Sequence, residues 1–573
     1  MSPAGDLGRR LIPRILDEMS RDEPDRVIYS IAKSADISKG FNEITAREFG
    51  DAVNKTAWWL ESLVGKSESL QTIGYIGPRK ISGLYSIGKA LTGEDDIRYF
   101  LLNLACVKVG YQVIFLSPGN SIEAALGLLK ATECSLWVHP VDYPPYPLVE
   151  KIQQTHELRI LEIPTVAELL DASSSPHYPY IKTYDEAMGD TFCILHTSGT
   201  TGLPKPIYLS NGLLATMDAA RILPPFEGDN GARPWATLYE KGDRLYSPCV
   251  LLHGPGIFMN LFATFLFETH SVMGPVGVHP DMKMLASLAD HGNIDIWHFM
   301  PVYVNELGQH PEILEKFRSS KFIGAGGGPV SAELAVKVNE VVRVHNLFGT
   351  TEGLFMGDML VDKKDFLWVS FHPYAGFEYT EIERGLFEQR AVKNEHWALH
   401  QGIFHTFRDV NEFNFKDLFI KHAKKSNLWL YMGRSNDIIC LEDAQKLSPI
   451  ETENMICAHP NVKGCVMIGN GQKFACLMVE LKDDVIRDVK TIEGLRESLG
   501  DIIDQADQNQ LLRGYLRRDY IIIADPKRPL PRTEKGTISR RAALKLYEEE
   551  IDAFYRLKGE ATVGVGQRTA RVA

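Results

Sequence analysis

The sequence predicts an α/β protein in which one large, multi-lobed unit precedes a smaller α+β domain. Three observations predict it. Short apolar strands alternate with helical patterns along the first third of the chain, which is the mark of βαβ units building a mostly parallel sheet covered by helices on both faces. The same alternation resumes after a loop-like stretch, Ala172-Ser-Ser-Ser-Pro-His-Tyr-Pro-Tyr180, and runs to about residue 420. Composition then changes after Gly433. In order, the first strand is expected over residues 26–32, followed by strands at 72–77, 112–116 and 135–139 with helices at 97–109 and 121–132 between them. In the second domain, strands are expected at 465–469 and 475–481 and a helix from Ile492 to about Arg517, before the Pro-rich basic segment Asp525-Pro-Lys-Arg-Pro-Leu-Pro-Arg-Thr533. The boundary falls between residues 435 and 436, giving domains 1–435 and 436–573.

The 573 residues suffice for a large core, and 44% hydrophobic with 24% charged residues excludes disordered and fibrous classes. Lys+Arg total 62 against Asp+Glu 74, a net charge of −12, and no long basic block breaks that balance. A nucleic-acid partner is therefore not expected. The eight cysteines form no C-x-x-C pair and no zinc spacing, and most lie in apolar runs such as Phe-Ala-Cys476-Leu-Met-Val. With no apolar leader in residues 1–24 and no run of about 18 apolar residues, the chain reads as a cytoplasmic enzyme with no membrane partner.

Chemistry concentrates in a few segments. His196-Thr-Ser-Gly-Thr-Thr-Gly-Leu-Pro-Lys205 follows an apolar strand. Its small hydroxyl residues and glycines let backbone N–H groups and side-chain hydroxyls wrap an anionic phosphate. Lys205 follows Leu-Pro rather than Gly, so the segment is not the Gly-x4-Gly-Lys-Ser/Thr loop of P-loop NTPases. Further along stand Gly324-Ala-Gly-Gly-Gly-Pro329, Asn346-Leu-Phe-Gly-Thr-Thr-Glu-Gly353, Phe415-Lys-Asp-Leu-Phe419, Tyr431-Met-Gly-Arg-Ser-Asn-Asp-Ile-Ile439 and Pro531-Arg-Thr-Glu-Lys-Gly-Thr-Ile-Ser-Arg540. The glycine run lacks G-x-G-x-x-G and a following ribose-binding acid, which argues against a Rossmann fingerprint.

Taken together and in this order, over roughly residues 190–540, these segments resemble the acyl-adenylate-forming superfamily of acyl-CoA synthetases, luciferases and the adenylation domains of nonribosomal peptide synthetases. The resemblance implies an adenylation domain with a mobile C-terminal domain, using ATP (AMP) and Mg²⁺. It implies a phosphate loop at Thr197, Ser198, Gly199, Thr200, Thr201, Gly202 and Lys205, with Gly326 and Gly327 beside adenine and Asn346 in the next element. Phe348 would pack on adenine, Thr351 would contact the α-phosphate and Glu352 would bind Mg²⁺; a carboxylate at the triphosphate suits a hard cation. Asp417 takes the position of the ribose-binding acid and Arg434 would reach ribose or phosphate. The hinge falls on Asn436, where Asp or Lys is more usual; asparagine tolerates the required backbone angles.

The chain departs from the family at two further points. The family's Pro-x-Thr-x-x-Gly-Lys has Thr537 after Gly536 here, and the lysine precedes the glycine as Lys535. A cation is needed where the pentavalent phosphorus develops, so Lys535 is taken as the catalytic lysine, with Arg532 or Arg540 as the alternative source of charge. A glycine common at the thiol tunnel is replaced by Ala444.

For the acid, the segment Ser247-Pro-Cys-Val-Leu-Leu-His-Gly-Pro-Gly256 carries no Asp to pair with an ammonium, and His253 resembles the gate histidine of aryl- and acyl-activating relatives. Pocket candidates by motif offset are His253, Ile323, Ala325, Leu347, Phe355 and Met356, an apolar set that suits an aromatic or aliphatic acid without a free α-amine. A betaine-type acid in a cage of Trp297, Phe299 and Phe355 is an alternative. Within the superfamily the wording resembles fungal carboxylic acid reductases, which implies a phosphopantetheine carrier domain and an NADPH reductase domain as partners in a longer enzyme. A freestanding acyl- or aryl-CoA ligase and a non-catalytic nucleotide sensor are the rival readings.

Overall fold

The computed structural model describes residues 6–78, 96–171, 175–198, 203–226, 232–278, 280–443, 445–485, 489–509, 514–533 and 536–559. Two mostly parallel sheets form the large unit. One runs, in spatial order, Arg159–Ile163, Leu136–Pro140, Thr72–Tyr75, Gln112–Phe115, Thr191–Ser198 and Pro204–Ser210, all parallel except the last pair. The other has seven strands, Val344–Leu347, Phe322–Gly326, Ile296–Phe299, Arg244–Tyr246, His270–Met273, Val27–Ala32 and Phe41–Thr45, antiparallel only at its Phe41–Thr45 edge. Central strands such as Thr72–Tyr75 and Ile296–Phe299 are buried at every residue, because helices cover both faces of a parallel sheet and demand apolar residues on each.

Local chemistry sets where the covering helices begin. Helix Ala46–Val64 starts at a capping box, in which the Thr45 hydroxyl accepts the Glu48 N–H while the Glu48 carboxylate accepts the N–H of Thr45 at 2.8 Å. It packs on Arg98–Val109, a helix buried along its whole length. Two cations inside this layer are satisfied rather than stranded. Lys108 Nζ donates to Asp17 at 2.6 Å and to Asn54 at 3.0 Å, and Arg98 is clamped by Asp96 and Asp142.

A four-stranded antiparallel sheet, Phe377–Glu383, Leu386–Val392, Glu412–Lys421 and Trp429–Arg434, closes the large unit. Beyond it the small domain is a three-stranded sheet, Val462–Ile468, Ala475–Leu481 and Leu516–Ile523, with helices Pro449–Cys457 and Val489–Asn509 on one face and Arg540–Leu546 and Glu548–Leu557 on the other. Lys482 Nζ of this domain donates to Gln309 Oε1 at 2.9 Å, and Lys446 pairs with Glu383 at 2.8 Å across the same divide.

One element was not foreseen and one expectation is corrected. A second strand, Pro204–Ser210, pairs antiparallel with Thr191–Ser198 before helix Asn211–Ala219 begins. Ile207 and Leu209 are buried while Tyr208 is exposed, a period of two that decides for the strand. The helix expected to reach Arg517 ends at Asn509, and Arg517 lies in the strand Leu516–Ile523, whose Tyr520-Ile-Ile-Ile run favours β structure. All eight cysteines are free, and among the described residues no helix is long and apolar enough to cross a membrane.

Candidate active site

A cavity of about 2250 Å³ opens where the C-terminal ends of the parallel strands meet the antiparallel sheet and the small domain. This is where open α/β sheets bind ligands, since loops leaving the strand ends diverge there and expose backbone N–H groups. Thr197 reaches it from the 191–198/204–210 hairpin; Lys205, paired opposite Thr197, is exposed and does not line it. Gly199, Thr200, Thr201 and Gly202 lie outside the described residues, as does the side chain of Ser198.

Facing this hairpin is the turn that follows strand Val344–Leu347. Thr350 and Leu354 exchange backbone hydrogen bonds (2.9 and 3.1 Å), and Thr350 Oγ1 accepts the Gly353 N–H at 3.0 Å, so Thr351 and Glu352 are held at the tip of a closed loop. The Thr197 hydroxyl donates to Glu352 Oε1 at 3.4 Å. Thr406 Oγ1 pins the Glu352 carbonyl at 2.7 Å, a support the sequence reading missed because it lies 54 residues away. Phe348 borders the cavity, packed by Phe371 and Phe419 at 5.5 Å and by Tyr431 at 5.9 Å. Its backbone N–H donates to buried Asp358 at 2.8 Å, a carboxyl whose burial raises its pKa well above the usual range. Gly326 and Gly327 line the wall beside it, and Asn346 Nδ2 donates to the Leu367 carbonyl at 3.2 Å.

Asp417 is buried at 2% exposure yet borders the cavity. A bulge delivers it there: Lys416 takes the left-handed conformation (φ 64°), Asn414 Oδ1 accepts its N–H at 2.7 Å, and the register with strand Leu386–Val392 shifts at this point. Arg434 Nε donates to Asp417 Oδ1 at 3.2 Å and the Tyr431 hydroxyl does so at 3.4 Å. Burial pushes the Asp417 pKa up to about 6, opposed by the Arg434 guanidinium and raised further by the nearby Glu352.

Asn436 sits exposed in the 3₁₀ turn Ser435–Asp437, directly after Gly433 (φ 107°) and between the two domains. From the small domain a tight hairpin borders the cavity. Arg532 bridges to Ile538, the Thr533 N–H donates to the Thr537 carbonyl at 2.7 Å, and Gly536 takes φ 77° at the turn. Lys535, the residue before Gly536 in the sequence, lies outside the described residues, as does Ala444. Arg532 is committed to buried Glu480 at 2.8 Å and Arg540 to Glu453 at 2.6 Å.

The expected acid pocket is only partly assembled. His253, Leu347 and Phe355 line the cavity, with Phe355 packed on Trp235 at 4.5 Å. Ile323 and Ala325 do not. They point into the core beneath the helices on the other face of strand Phe322–Gly326, because alternation gives the cavity face to Gly324 and Gly326. Met356 is buried among Ala375, Ala391, Ile403 and Phe404, away from the cavity, since the closed turn ending at Leu354 reverses the chain. Trp297 packs on Phe317 at 4.5 Å in the same helix-side cluster as Phe299, whereas Phe355 belongs to another cluster, so the three rings form no cage. The sequence reading missed His298, which does line the cavity and is held by the Tyr239 hydroxyl at 2.6 Å; its only signal was a histidine inside an apolar strand.

The segment carrying His253 is fixed by a close approach at Gly256. A Cβ there would lie 2.0 Å from the Val250 carbonyl oxygen. Gly256→Ala is expected to displace the His253 turn and to cost about 2 kcal/mol or more of stability, read as a drop in Tm by calorimetry.

Comparison with known proteins agrees with this arrangement. Residues 90–370 match the family described as AMP-binding enzyme, and residues 436–558 match the AMP-binding enzyme C-terminal domain. The chain is 46% identical to the isocyanide synthase-NRPS hybrid crmA of Aspergillus fumigatus over 553 residues, 96% of this chain and 34% of that protein. It is 29% identical to the carboxylic acid reductase of Neurospora crassa over 572 residues, 97% of this chain and 52% of that one. It thus spans from a third to about half the length of these curated relatives. Among solved structures, an anthranilate CoA ligase in complex with anthranoyl-AMP superposes with a TM-score of 0.69 at 15% identity, over 96% of this chain and 98% of that one.

Proposed function

Because the chain belongs to the AMP-binding enzyme family of ATP-dependent acid-adenylating enzymes, we propose that it activates a carboxylic acid lacking a free α-amine as acyl-AMP and delivers the acyl group to a phosphopantetheine thiol. The observation that carries this reading is the convergence of Thr197, the Thr351–Glu352 turn and the Asp417–Arg434 pair on one cavity bordered by both domains. Asp417 accepts hydrogen bonds from the ribose hydroxyls and Phe348 supports the base. Thr351 and the 196–205 loop meet the phosphates. A carboxylate oxygen of the acid then attacks the α-phosphorus, and the bond from phosphorus to the bridging oxygen breaks as pyrophosphate leaves.

Glu352 is the residue that would hold Mg²⁺, which when bound neutralises charge on the departing pyrophosphate. The donor set suits that ion. Among the described residues no group of three or more His, Cys, Asp or Glu side chains could cage a metal, and Mg²⁺ habitually uses one or two carboxylates with phosphate oxygens and water. Lys535, next to Gly536 in the sequence, supplies the cation for the pentavalent phosphorus, and rotation at Asn436 exchanges the 532–538 hairpin for the thiol. The identities to an NRPS hybrid and to a carboxylic acid reductase, each much longer than this chain, support a carrier and a reductase domain as partners.

The 46% identity to an isocyanide synthase hybrid favours a second, narrower reading, that the acid bears an isocyano group in place of the amine. Carboxylate-dependent ATP–pyrophosphate exchange with aromatic, α-keto, fatty, betaine-type and α-isocyano acids tests both. Exchange with at least one acid and no betaine is expected. Tight ATP binding without exchange across the panel would point to a nucleotide sensor, and thioester formation on free CoA to a CoA ligase.

A further inference from the structure

The cavity wall contains one buried polar pair that the adenylation machinery above does not use. His298, on strand Ile296–Phe299, is 5% exposed and borders the cavity; Tyr239 is 4% exposed, with its hydroxyl 2.6 Å from His298 Nε2 and its ring parallel to the imidazole (7°). The opposite edge of the imidazole lies over Gly324 on the adjacent strand. A Cβ built at Gly324 would sit 2.6 Å from His298 Cε1 and 2.7 Å from Nδ1. A glycine at 324 is therefore what allows the ring to lie flat on the cavity floor.

Proton placement follows from counting partners. Were Nε2 protonated and donating to Tyr239, the buried phenol proton would need another acceptor, and none is found for it among the described residues. The phenol therefore donates to Nε2, and the imidazole proton resides on Nδ1, on the side of Gly324 and the cavity. Two shifts agree. Burial raises the Tyr239 pKa far above its usual value, so the phenol keeps its proton; burial and the neighbouring His345 lower that of His298 to about 3, so the ring stays neutral. The outcome is a neutral, oriented N–H donor in a wall that also holds the apolar side chains of Leu347 and Phe355.

Resting on the adenylation reading, we propose that His298 is the specificity-determining residue for the acid, and that the substrate class is a carboxylic acid carrying a second, uncharged hydrogen-bond acceptor aimed at Nδ1. A buried donor left without an acceptor is costly, so a purely hydrocarbon acid is disfavoured. A second carboxylate is disfavoured because one neutral N–H does not offset its desolvation. A cationic acid meets a donor where it would need an acceptor.

The test is pyrophosphate exchange by the full chain with isosteric acid pairs that differ in the acceptor alone: 4-methoxy- and 4-ethylbenzoate, 3-phenylpyruvate and 2-methyl-3-phenylpropanoate, and 2-isocyano- and 2-ethynyl-3-methylbutanoate. In the pair that fits the pocket, the acceptor-bearing acid is expected to lead by about 10- to 100-fold in kcat/KM. His298→Phe is expected to bring that ratio to within about 3-fold of unity, lowering turnover of the acceptor acid and relieving the hydrocarbon acid of the unpaired donor, while AMP affinity is unchanged. His298→Asn, which keeps an N–H donor, restores part of the preference, and Tyr239→Phe gives an intermediate ratio because the tautomer is no longer fixed. Exchange with no preference in any active pair, or a preference that survives His298→Phe, overturns the proposal and leaves the adenylation reading standing. Absence of exchange with every acid overturns both. Should His298→Phe fail to fold, as judged by lost AMP binding, the wild-type ratio and Tyr239→Phe still decide.

Discussion

Lys535→Ala lowers carboxylate-dependent ATP–pyrophosphate exchange by about 10²- to 10³-fold and leaves AMP affinity within about 3-fold of wild type. The argument is one of charge supply. The pentavalent phosphorus carries more negative charge at its oxygens than ground-state ATP, and a cation placed there acts on kcat rather than on binding. Three cationic residues stand on the hairpin segment that borders the cavity, Arg532, Lys535 and Arg540. Two of them are spoken for: Arg532 pairs with Glu480 at 2.8 Å and also donates to the Leu530 carbonyl at 3.1 Å, and Arg540 pairs with Glu453 while bonding the Met467 carbonyl, both at 2.6 Å. Withdrawing either arginine would break an ion pair to a carboxylate that is buried (Glu480) or half-buried (Glu453), so these bonds are structural. Lys535 falls in the sequence between Thr533 and Thr537, which the Thr533–Thr537 hydrogen bond pairs. Full exchange by Lys535→Ala would show that the cation comes from elsewhere, whereas a loss confined to AMP affinity would make Lys535 a binding residue.

Asp417→Asn weakens AMP binding by about 30- to 100-fold and removes the part of its pH dependence between pH 5 and 7 that exceeds the titration of AMP's own phosphate, whose second pKa is also about 6. The substitution keeps the shape and deletes the charge that accepts both ribose hydroxyls. The pH argument has a definite sign. In the folded protein Asp417 titrates near 6, above the ordinary carboxylate value, because burial penalises the ionised form. AMP requires that ionised form, so as pH drops through 6 wild-type affinity falls more steeply than that of Asp417→Asn, by a further factor approaching tenfold per unit. Binding near pH 5.5 therefore releases more protons in the wild type than in Asp417→Asn, a difference that calorimetry in buffers of different ionisation enthalpy detects directly. The same shift makes Asp417 oppose folding: the folded chain holds its proton above the pH at which the unfolded chain releases it, so this group's contribution to stability declines as pH rises from about 4 to 6 and is flat above. A wild-type affinity that stays level down to pH 5 would sink the assignment.

Much of the architecture was legible in the chain. The strand–helix alternation, the composition change after Gly433 and the ordered segments at 196–205, 346–353, 415–419, 431–439 and 531–540 each need only local chemistry: period-two or helical apolar patterns, glycines at tight turns, hydroxyls beside glycines. What was misread turned on parity and on partners. Motif offset put Ile323 and Ala325 in the pocket, but a strand gives alternate residues to opposite faces, and the cavity received Gly324, Gly326 and, from the neighbouring strand, His298. The 204–210 strand was missed because its pairing with 191–198 is a tertiary fact, although its burial alternates plainly once the partner is present.

The sequence by itself determined the fold class, the family and the segments that meet at the cavity, because those depend on residue type at fixed spacing along the chain. Only the tertiary structure decided that Asp417 is buried beside Arg434 and so titrates near 6, that Arg532 and Arg540 are held by Glu480 and Glu453, and that Tyr239, His298 and Gly324 form one polar feature of the cavity wall. Desolvation, hydrogen-bond partners and free space are set by atoms distant in sequence, so no local pattern encodes them.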